Sequence, residues 1–151
     1  MKKMIAILSL FIVIVVVAGL YGIFVYRGGG DKTTRVKINN SVFEVEVAKS
    51  LAELSKGLSG REGLAESKGM LFVFSFSGKN GFWMKDMKFP LDIIWIKDNR
   101  IVGIEKNVPP PATAAEGLKI YYPPESINKV LEINAGLSDK LGIKVGDEAV
   151  Y

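Results

Sequence analysis

The sequence predicts an all-β domain, a compact β-sandwich or a small barrel with two short helices, that follows one N-terminal transmembrane helix. Three observations carry this prediction. Residues 4–26 contain no charged residue. The rest of the chain contains roughly seven or eight short β-forming runs separated by turn residues, and only two segments with helical signals. It shows no internal repeat and no βαβ alternation.

The N-terminal segment MIAILSLFIVIVVVAGLYGIFVY, residues 4–26, is long enough to cross a membrane. At about 1.5 Å per residue it spans roughly the 30 Å hydrocarbon core of a bilayer. The alternative is a cleaved signal peptide, for which Val16-Val17-Ala18 is a weak version of the cleavage site. Because the apolar run continues well past Ala18, residues 1–26 are predicted to be a retained anchor.

The orientation of this anchor is not decided by the flanking charges. Lys2 and Lys3 precede the segment, whereas Arg27, Lys32 and further basic residues follow it. Long C-terminal domains are translocated largely regardless of charge. We therefore expect the C-terminal domain to be extracytoplasmic and the protein to reside in the cell membrane.

Residues 27–31 predict a glycine-rich linker, and residues 32–151 are about one domain in length. The net charge of +4 belongs mostly to the anchor region, because removing Lys2, Lys3 and Arg27 leaves 17 basic against 16 acidic residues. A nearly neutral domain lacks the basic surface that nucleic acid requires, so no nucleic-acid partner is predicted.

The sequence has no cysteine and no histidine. Disulfides, thiol nucleophiles, Ser-His triads and nearly all zinc and copper sites are therefore excluded. Carboxylate, lysine, hydroxyl and tyrosine chemistry remain, together with hard cations bound by oxygen. The single acid of the Gly146-Asp147 turn falls short of the about six to eight oxygens that calcium takes. Neither a cofactor nor a metal site is predicted.

The first half of the domain predicts a hairpin and a short helix. Residues 35–38 and 42–47 are β-forming runs around Asn39-Asn40, and alternation in the second run places its apolar residues on one face. Ser50 and Glu53 match a capping box, which predicts a helix to about Lys56.

The second half predicts further strands, a proline-rich loop and a helical turn. The loop, residues 109–117, cannot continue a central strand because three successive prolines lack the N–H that the ladder needs. The helical turn covers residues 137–141. The predicted strands are residues 69–76, 82–86, 91–96, 101–108, 118–122 and 129–133, with a last strand at 148–151.

Four stretches of the domain resemble a known family. They are GLSGR at residues 57–61, GMLFVF at 69–74, FWMKD with PLDI at 82–86 and 90–93, and VLEINAG with a glycine turn at 130–136 and 142–147. Together they resemble the bacterial and archaeal family called domain of unknown function 192, whose members often follow a signal or anchor segment. The resemblance implies a compact β-sandwich of jelly-roll type, and it implies no biochemical activity.

Two positions depart from the pattern of that family. Ser59 stands where the family usually has Met, and Asp86-Met87 stand where it usually has Asn-Thr. The second change places an acid beside Lys85. We therefore do not transfer to Asp86 any role that the asparagine has in the family.

Charged residues interrupt the apolar segment GFWMKDMKFPLDIIWI, residues 81–96. Both faces of the strand around Asp92 are apolar, so Asp92 is expected to be desolvated. A buried carboxylate needs a partner, and the candidates are Lys85, Arg61 and backbone N–H groups of the turn at 88–90. On this interpretation the charges form a buried clamp.

The alternative interpretation is a polar pocket. It would be suited to an anionic or sugar-like ligand held over aromatic faces. Paired carboxylates could hydrolyse a glycoside only at a suitable separation and with one raised pKa. The candidate ligand-binding residues are Arg61, Trp83, Lys85, Asp86, Asp92 and Trp95.

Two further side chains have structural interpretations. Glu132 lies between Leu131 and Ile133 and is predicted to be the outward member of a half-buried strand. Arg61 could bind a ligand carboxylate, or it could tie its glycine-rich loop to Glu132 or Asp92.

Three functions remain open. The first is a small-ligand binding module, which predicts a concave site with one exposed tryptophan beside the charges. The second is a structural or interaction domain of an envelope assembly, in which the charges are internal clamps. The third, a carboxylate-based hydrolase, lacks any recognisable nucleophile arrangement, and no catalytic residue is assigned. The expected partners are the membrane and either a small ligand or an envelope protein.

Overall fold

The structure is a computed structural model that describes residues 33–112 and 118–151. The predicted anchor and linker, and residues 113–117 of the proline-rich loop, lie outside the described residues. Within the described ranges there is no helix with the length and hydropathy needed to span a membrane.

The described residues form nine strands and two short helices. In chain order these are β1 Thr33–Ile38, β2 Ser41–Ala48, α1 Leu51–Lys56, β3 Lys68–Gly78, β4 Phe82–Trp83, β5 Leu91–Lys97, β6 Arg100–Val108, β7 Ile120–Tyr121, β8 Ile127–Asn134, α2 Leu137–Lys140 and β9 Ala149–Val150. The expectation of a mostly β domain with two short helices is confirmed.

Seven strands form one mixed sheet in the order β6-β5-β8-β3-β2-β1-β9, and β4 and β7 form a separate two-stranded ribbon. The β2–β3 pair is parallel. The two edges of the sheet approach each other, since Arg100 bridges Glu148 and the N–H of Ala149 donates to Asn99 O at 2.7 Å. The architecture is therefore a curled half-barrel, in place of two facing sheets of similar size.

Local sequence signals account for the first elements. The β1–β2 hairpin pairs Val36 with Phe43, and its turn places Asn39 at φ 53°. The capping box of α1 forms as predicted: Ser50 Oγ accepts from Glu53 N–H at 3.3 Å, and Glu53 Oε2 accepts from Ser50 N–H at 2.8 Å.

The sheet is covered on both faces. The inner cluster, enclosed by the curl, takes at least one buried residue from each of the seven strands: Val36, Phe43, Leu71, Ile94, Ile101, Leu131 and Ala149. The outer cluster includes Leu58, Phe72, Met87, Ile93 and Trp95 and lies beneath α1, the ribbon and the long connections. Strand β5 is buried on both faces because successive side chains alternate between the two clusters.

The two predicted strands that form the ribbon are shorter than expected. The strand predicted at residues 82–86 ends at Trp83, because Met84 to Met87 form a turn in which Asp86 adopts a left-handed φ of 56°. The strand predicted at 118–122 is reduced to Ile120–Tyr121, which pairs with β4 rather than with the main sheet.

Candidate functional site

Asp92 is fully buried and accepts four hydrogen bonds. Its Oδ1 accepts from the N–H of Asn107 at 2.8 Å and of Gly136 at 3.1 Å. Its Oδ2 accepts from Ser138 N–H at 2.9 Å and from Ser138 Oγ at 2.5 Å. The carboxylate thereby connects β5 to the left-handed residue Asn107 on β6 and to the start of α2.

Asp92 is buried and hydrogen-bonded, as expected, but its partners differ from those considered. None of the candidates Lys85, Arg61 and the turn at 88–90 is among its hydrogen-bond donors. The reason is the face on which it lies. Asp92 shares the inner face with Ile94, whereas the loops that carry Lys85 and Arg61 adjoin the outer cluster.

Arg61 forms a two-pronged ion pair with Glu46 rather than with Asp92 or Glu132. Its two terminal nitrogens donate to the Glu46 carboxylate at 2.5 and 2.7 Å. The hydrogen bond from Arg61 lowers the pKa of Glu46 below its ordinary value. Both side chains are about one-third exposed, so the pair ties the loop after α1 to β2 at the surface.

Lys85 and Asp86 are exposed in the turn that follows β4. Their backbone carbonyls make the contacts: Ser59 Oγ donates to Lys85 O at 2.9 Å, and Gly60 N–H donates to Asp86 O at 2.9 Å. These bonds hold the turn against the loop at residues 57–60.

The two tryptophans have different environments. Trp95 is 1% exposed in the outer cluster, packs edge-on against Phe82 at 5.4 Å, and its indole N–H has no partner among the described residues. Trp83 is 44% exposed and lines a pocket. Of the six residues predicted for a site, Trp83 alone lines this pocket, and the six do not converge on one cavity.

The pocket has a volume of about 380 Å³ and opens on the outer face of the sheet. Its walls come from α1, the loop after it, β3 and the ribbon. Most of the lining is apolar or aromatic, namely Leu51, Leu54, Leu58, Phe72, Phe74, Phe82, Trp83 and Met87. The polar groups are few: Ser55, Ser59, Asn80, Lys56 and Glu132.

Glu132 stands at the centre of the sheet beneath this pocket. It is in register with Met70 on β3 and Ile93 on β5, both of which belong to the outer cluster. Side chains of directly paired residues lie on the same face, so the Glu132 carboxyl is surrounded by apolar groups. It is 5% exposed.

The prediction that Glu132 is an outward residue was wrong. The pattern Leu131-Glu132-Ile133 resembles a strand with one solvent-exposed face, but this strand lies in the middle of the sheet and is covered on both faces. The available signal was the flanking residue Val130: two residues before Glu132, it shares its face and is apolar, which indicates a buried face.

Burial alone raises the pKa of Glu132 to about 8, and no hydrogen bond or ion pair offsets it in the described part of the chain. At neutral pH the side chain is thus mostly a neutral carboxylic acid, which has an O–H to donate. Such a group can hold a hydrogen-bond acceptor inside an apolar site.

The same lining argues against paired-carboxylate hydrolysis. Glycosidases of that kind need two carboxyl groups about 5–10 Å apart around the scissile bond. Among the described residues that line the pocket, Glu132 is the only acid. The described ranges also contain no cluster of acidic residues that could hold a metal ion.

Comparisons with known proteins agree with the fold and supply no activity. A protein of unknown function from Novosphingobium aromaticivorans DSM 12444 has a similar solved structure, with 33% identity, a TM-score of 0.74, and coverage of 82% of this chain and 88% of its own. A protein from Sinorhizobium meliloti 1021, described as "a putative transcription regulator", has 31% identity and a TM-score of 0.71 over 78% of this chain and 92% of its own. No curated protein matches the chain.

The family model named DUF192 and described as "Uncharacterized ACR" matches residues 34–151, which is nearly the whole of the folded domain. The chain therefore belongs to the DUF192 family.

Proposed function

We propose that this domain is a binding module for a small, mostly apolar molecule that carries one hydrogen-bond acceptor. The ligand occupies the pocket above β8, and the neutral Glu132 acid donates to its acceptor. The observation that carries the proposal is the buried Glu132 carboxyl group at the floor of an apolar pocket, for which the described residues offer no hydrogen-bond partner.

The energetics of the unliganded domain support this role. Burial of the Glu132 carboxyl group costs free energy, and a leucine or methionine at the same position would pack against Met70 and Ile93 without that cost. A ligand that accepts a hydrogen bond from Glu132 recovers part of this free energy. Residues that weaken the unliganded fold are typical of binding and catalytic sites.

The size and chemistry of the pocket define the ligand class. A volume of 380 Å³ falls within the range of about 300–1,000 Å³ typical of small-molecule sites. Phe72, Phe82 and Trp83 offer aromatic walls, while Ser55 and Asn80 add a few polar contacts. A flexible chain or flat ring system with one carbonyl or ether oxygen fits this lining better than the anionic or sugar-like ligand considered from the sequence.

The proposed location is the outer surface of the cell membrane. It rests on the 23 uncharged residues at positions 4–26, which are long enough to anchor the domain. A role in transcription through DNA contact is not proposed, because the chain beyond the predicted anchor is nearly neutral.

The fragment Lys32–Tyr151 is suitable for testing the pocket. It forms one compact unit, and the relative from Novosphingobium, matched over 88% of its length, is little more than this domain. Titration with 2-octanone should quench the fluorescence of Trp83, and the signal should disappear in Trp83→Phe. Octane, which lacks an acceptor, should bind about 2–12-fold more weakly, the value of one hydrogen bond.

Two substitutions at one position provide the matched control. Glu132→Gln keeps a donor and should still prefer 2-octanone over octane. Glu132→Leu removes the donor and leaves the ketone oxygen unpaired in the pocket, so it should no longer prefer 2-octanone. Absence of any saturable Trp83 signal, or an equal affinity of the parent for both molecules, would refute the proposal.

The second candidate is a structural or interaction domain, and one observation favours it. Two of the charged groups considered for a site, Asp92 and Arg61, are engaged in internal contacts. This candidate predicts that neither octane nor 2-octanone binds the parent.

A further inference from the structure

Four exposed apolar side chains lie at the pocket or beside it. This apolar rim consists of Leu51, Trp83, Ile120 and Tyr122, with exposures of 86%, 44%, 44% and 57%. Leu51 and Trp83 line the pocket directly. Ile120 and Tyr122 lie over Gly81, because a Cβ placed there would stand 2.6 Å from Ile120 Cγ2 and 2.8 Å from Tyr122 Cε1.

The ribbon presents part of this rim by its pairing. Phe82 pairs with Tyr121 and packs with the outer cluster, while Trp83 pairs with Ile120 on the opposite, exposed face. The ribbon therefore has one face in the core and an aromatic-aliphatic face in water. Exposed apolar side chains grouped near one pocket are typical of interaction sites.

Exposed lysines accompany the rim. Lys56 lines the pocket, Lys79 and Lys85 flank the β4 segment, and Lys119 precedes Ile120. Proteins commonly have tryptophan and tyrosine at the interface between lipid headgroups and acyl chains, and lysines nearby that attract anionic headgroups. A second copy of this chain is a poorer partner, because an isologous contact would bring the same lysines together.

The sequence also places the domain close to such a surface. Only residues 27–32 separate the predicted anchor from β1, which begins at Thr33. Fully extended, six residues reach at most about 20 Å. A weak contact is sufficient to keep the domain on the bilayer at that distance, because the predicted anchor gives the membrane surface a high effective concentration near the domain.

We propose that the apolar rim contacts the surface of a lipid bilayer that contains anionic lipids, with the pocket mouth facing the bilayer. This contact goes beyond the proposed ligand binding and does not require that the pocket be occupied. The lysines attract the anionic headgroups, and the rim residues enter the interface.

The test uses the fragment Lys32–Tyr151 with an N-terminal hexahistidine tag in place of the anchor. The tag tethers the fragment to vesicles of phosphatidylcholine and phosphatidylglycerol that contain a nickel-chelating lipid and a doxyl-labelled phosphatidylcholine. Contact between the rim and lipid should quench Trp83, whereas the buried Trp95 should be unaffected. Trp83→Phe should therefore abolish the quenching.

Leu51→Glu and Val145→Glu form a matched pair of variants. Both replace an exposed aliphatic residue with glutamate, but Val145 lies in the turn before β9 and does not line the pocket. At Leu51, the first residue of α1, glutamate is favourable for the helix, so folding should be preserved. Without a tether, Leu51→Glu should lower partitioning to vesicles about tenfold, and Val145→Glu should change it little.

Replacing phosphatidylglycerol with phosphatidylcholine should weaken partitioning about fivefold for each lysine engaged. The proposal is overturned if tethered fragment shows no quenching of Trp83, or if Leu51→Glu and Val145→Glu behave alike. It is equally overturned if the rim mediates dimers that Leu51→Glu dissociates while vesicles remain unbound. Because no pocket ligand is added, failure here leaves the 2-octanone experiment unaffected.

Discussion

Replacing Glu132 with glutamine should make the domain more stable at neutral pH and leave its stability almost unchanged in acid. In the folded domain burial raises the pKa of Glu132 to about 8, from an ordinary value of 4.5. Below pH 4.5 the carboxyl is protonated in both the folded and the unfolded chain, so it imposes no ionisation cost. Between pH 4.5 and 8 the unfolded chain loses the proton while the folded domain keeps it, and stability falls.

The magnitude follows from the difference in pKa. Each pH unit in this window costs about 1.4 kcal/mol, so the loss at pH 7 is about 3 kcal/mol and approaches about 5 kcal/mol above pH 8. Glutamine has no such titration. The difference in unfolding free energy between Glu132→Gln and the parent should therefore grow by about 3 kcal/mol from pH 4 to pH 7.

Urea unfolding followed by circular dichroism measures this difference at each pH, and subtraction removes the titration of all other groups. Glu62→Gln is the control, because the Glu62 side chain is 84% exposed and its surface ion pair with Lys88 should contribute at most about 1 kcal/mol to the free energy of unfolding. A Glu132→Gln difference that stays constant between pH 4 and 8 would refute the inference that Glu132 is a neutral acid at pH 7.

Further substitutions test the contacts found for Asp92, for Arg61 and at Gly81. Asp92→Asn should lower the free energy of unfolding in urea by roughly 2–4 kcal/mol, because it disturbs four buried hydrogen bonds. Lys85→Ala should change it by less than about 0.5 kcal/mol, and equal effects of the two substitutions would contradict the partners found for Asp92. A double-mutant cycle of Arg61→Ala and Glu46→Gln should give a coupling of at most about 1 kcal/mol that weakens with salt, and a salt-independent coupling of several kcal/mol would mean that the pair is buried. Gly81→Ala should lower the free energy of unfolding by about 1–3 kcal/mol and weaken vesicle binding, because its methyl group would displace Ile120 and Tyr122 of the apolar rim. Unchanged unfolding and unchanged vesicle binding would contradict the close approach at Gly81.

Local signals in the sequence predicted local structure. The alternation around Phe43 gave the β1–β2 hairpin, and the spacing of Ser50 and Glu53 gave the cap of α1. The apolar character on both sides of Asp92 correctly indicated its burial. Each of these features depends on residues within a few positions of one another, so the sequence contains the necessary information.

Features that depend on distant pairing could not be read in this way. The parallel β2–β3 pair and the approach of β6 to β9 join segments that local patterns do not connect. The partners of Asp92 come from residues 107, 136 and 138, which only the curl of the sheet brings to it. Glu132 was misassigned for the same reason, because an alternating strand becomes buried when the sheet order makes it central.

The carboxyl ¹³C resonance of Glu132, followed by NMR in the fragment Lys32–Tyr151 during titration with 2-octanone at pH 7, tests the central claim most directly. The account predicts a chemical shift typical of a protonated acid in the free domain and a saturable change as the ketone accepts its hydrogen bond. A shift typical of an ionised carboxylate, or a resonance that does not respond to 2-octanone, would contradict it.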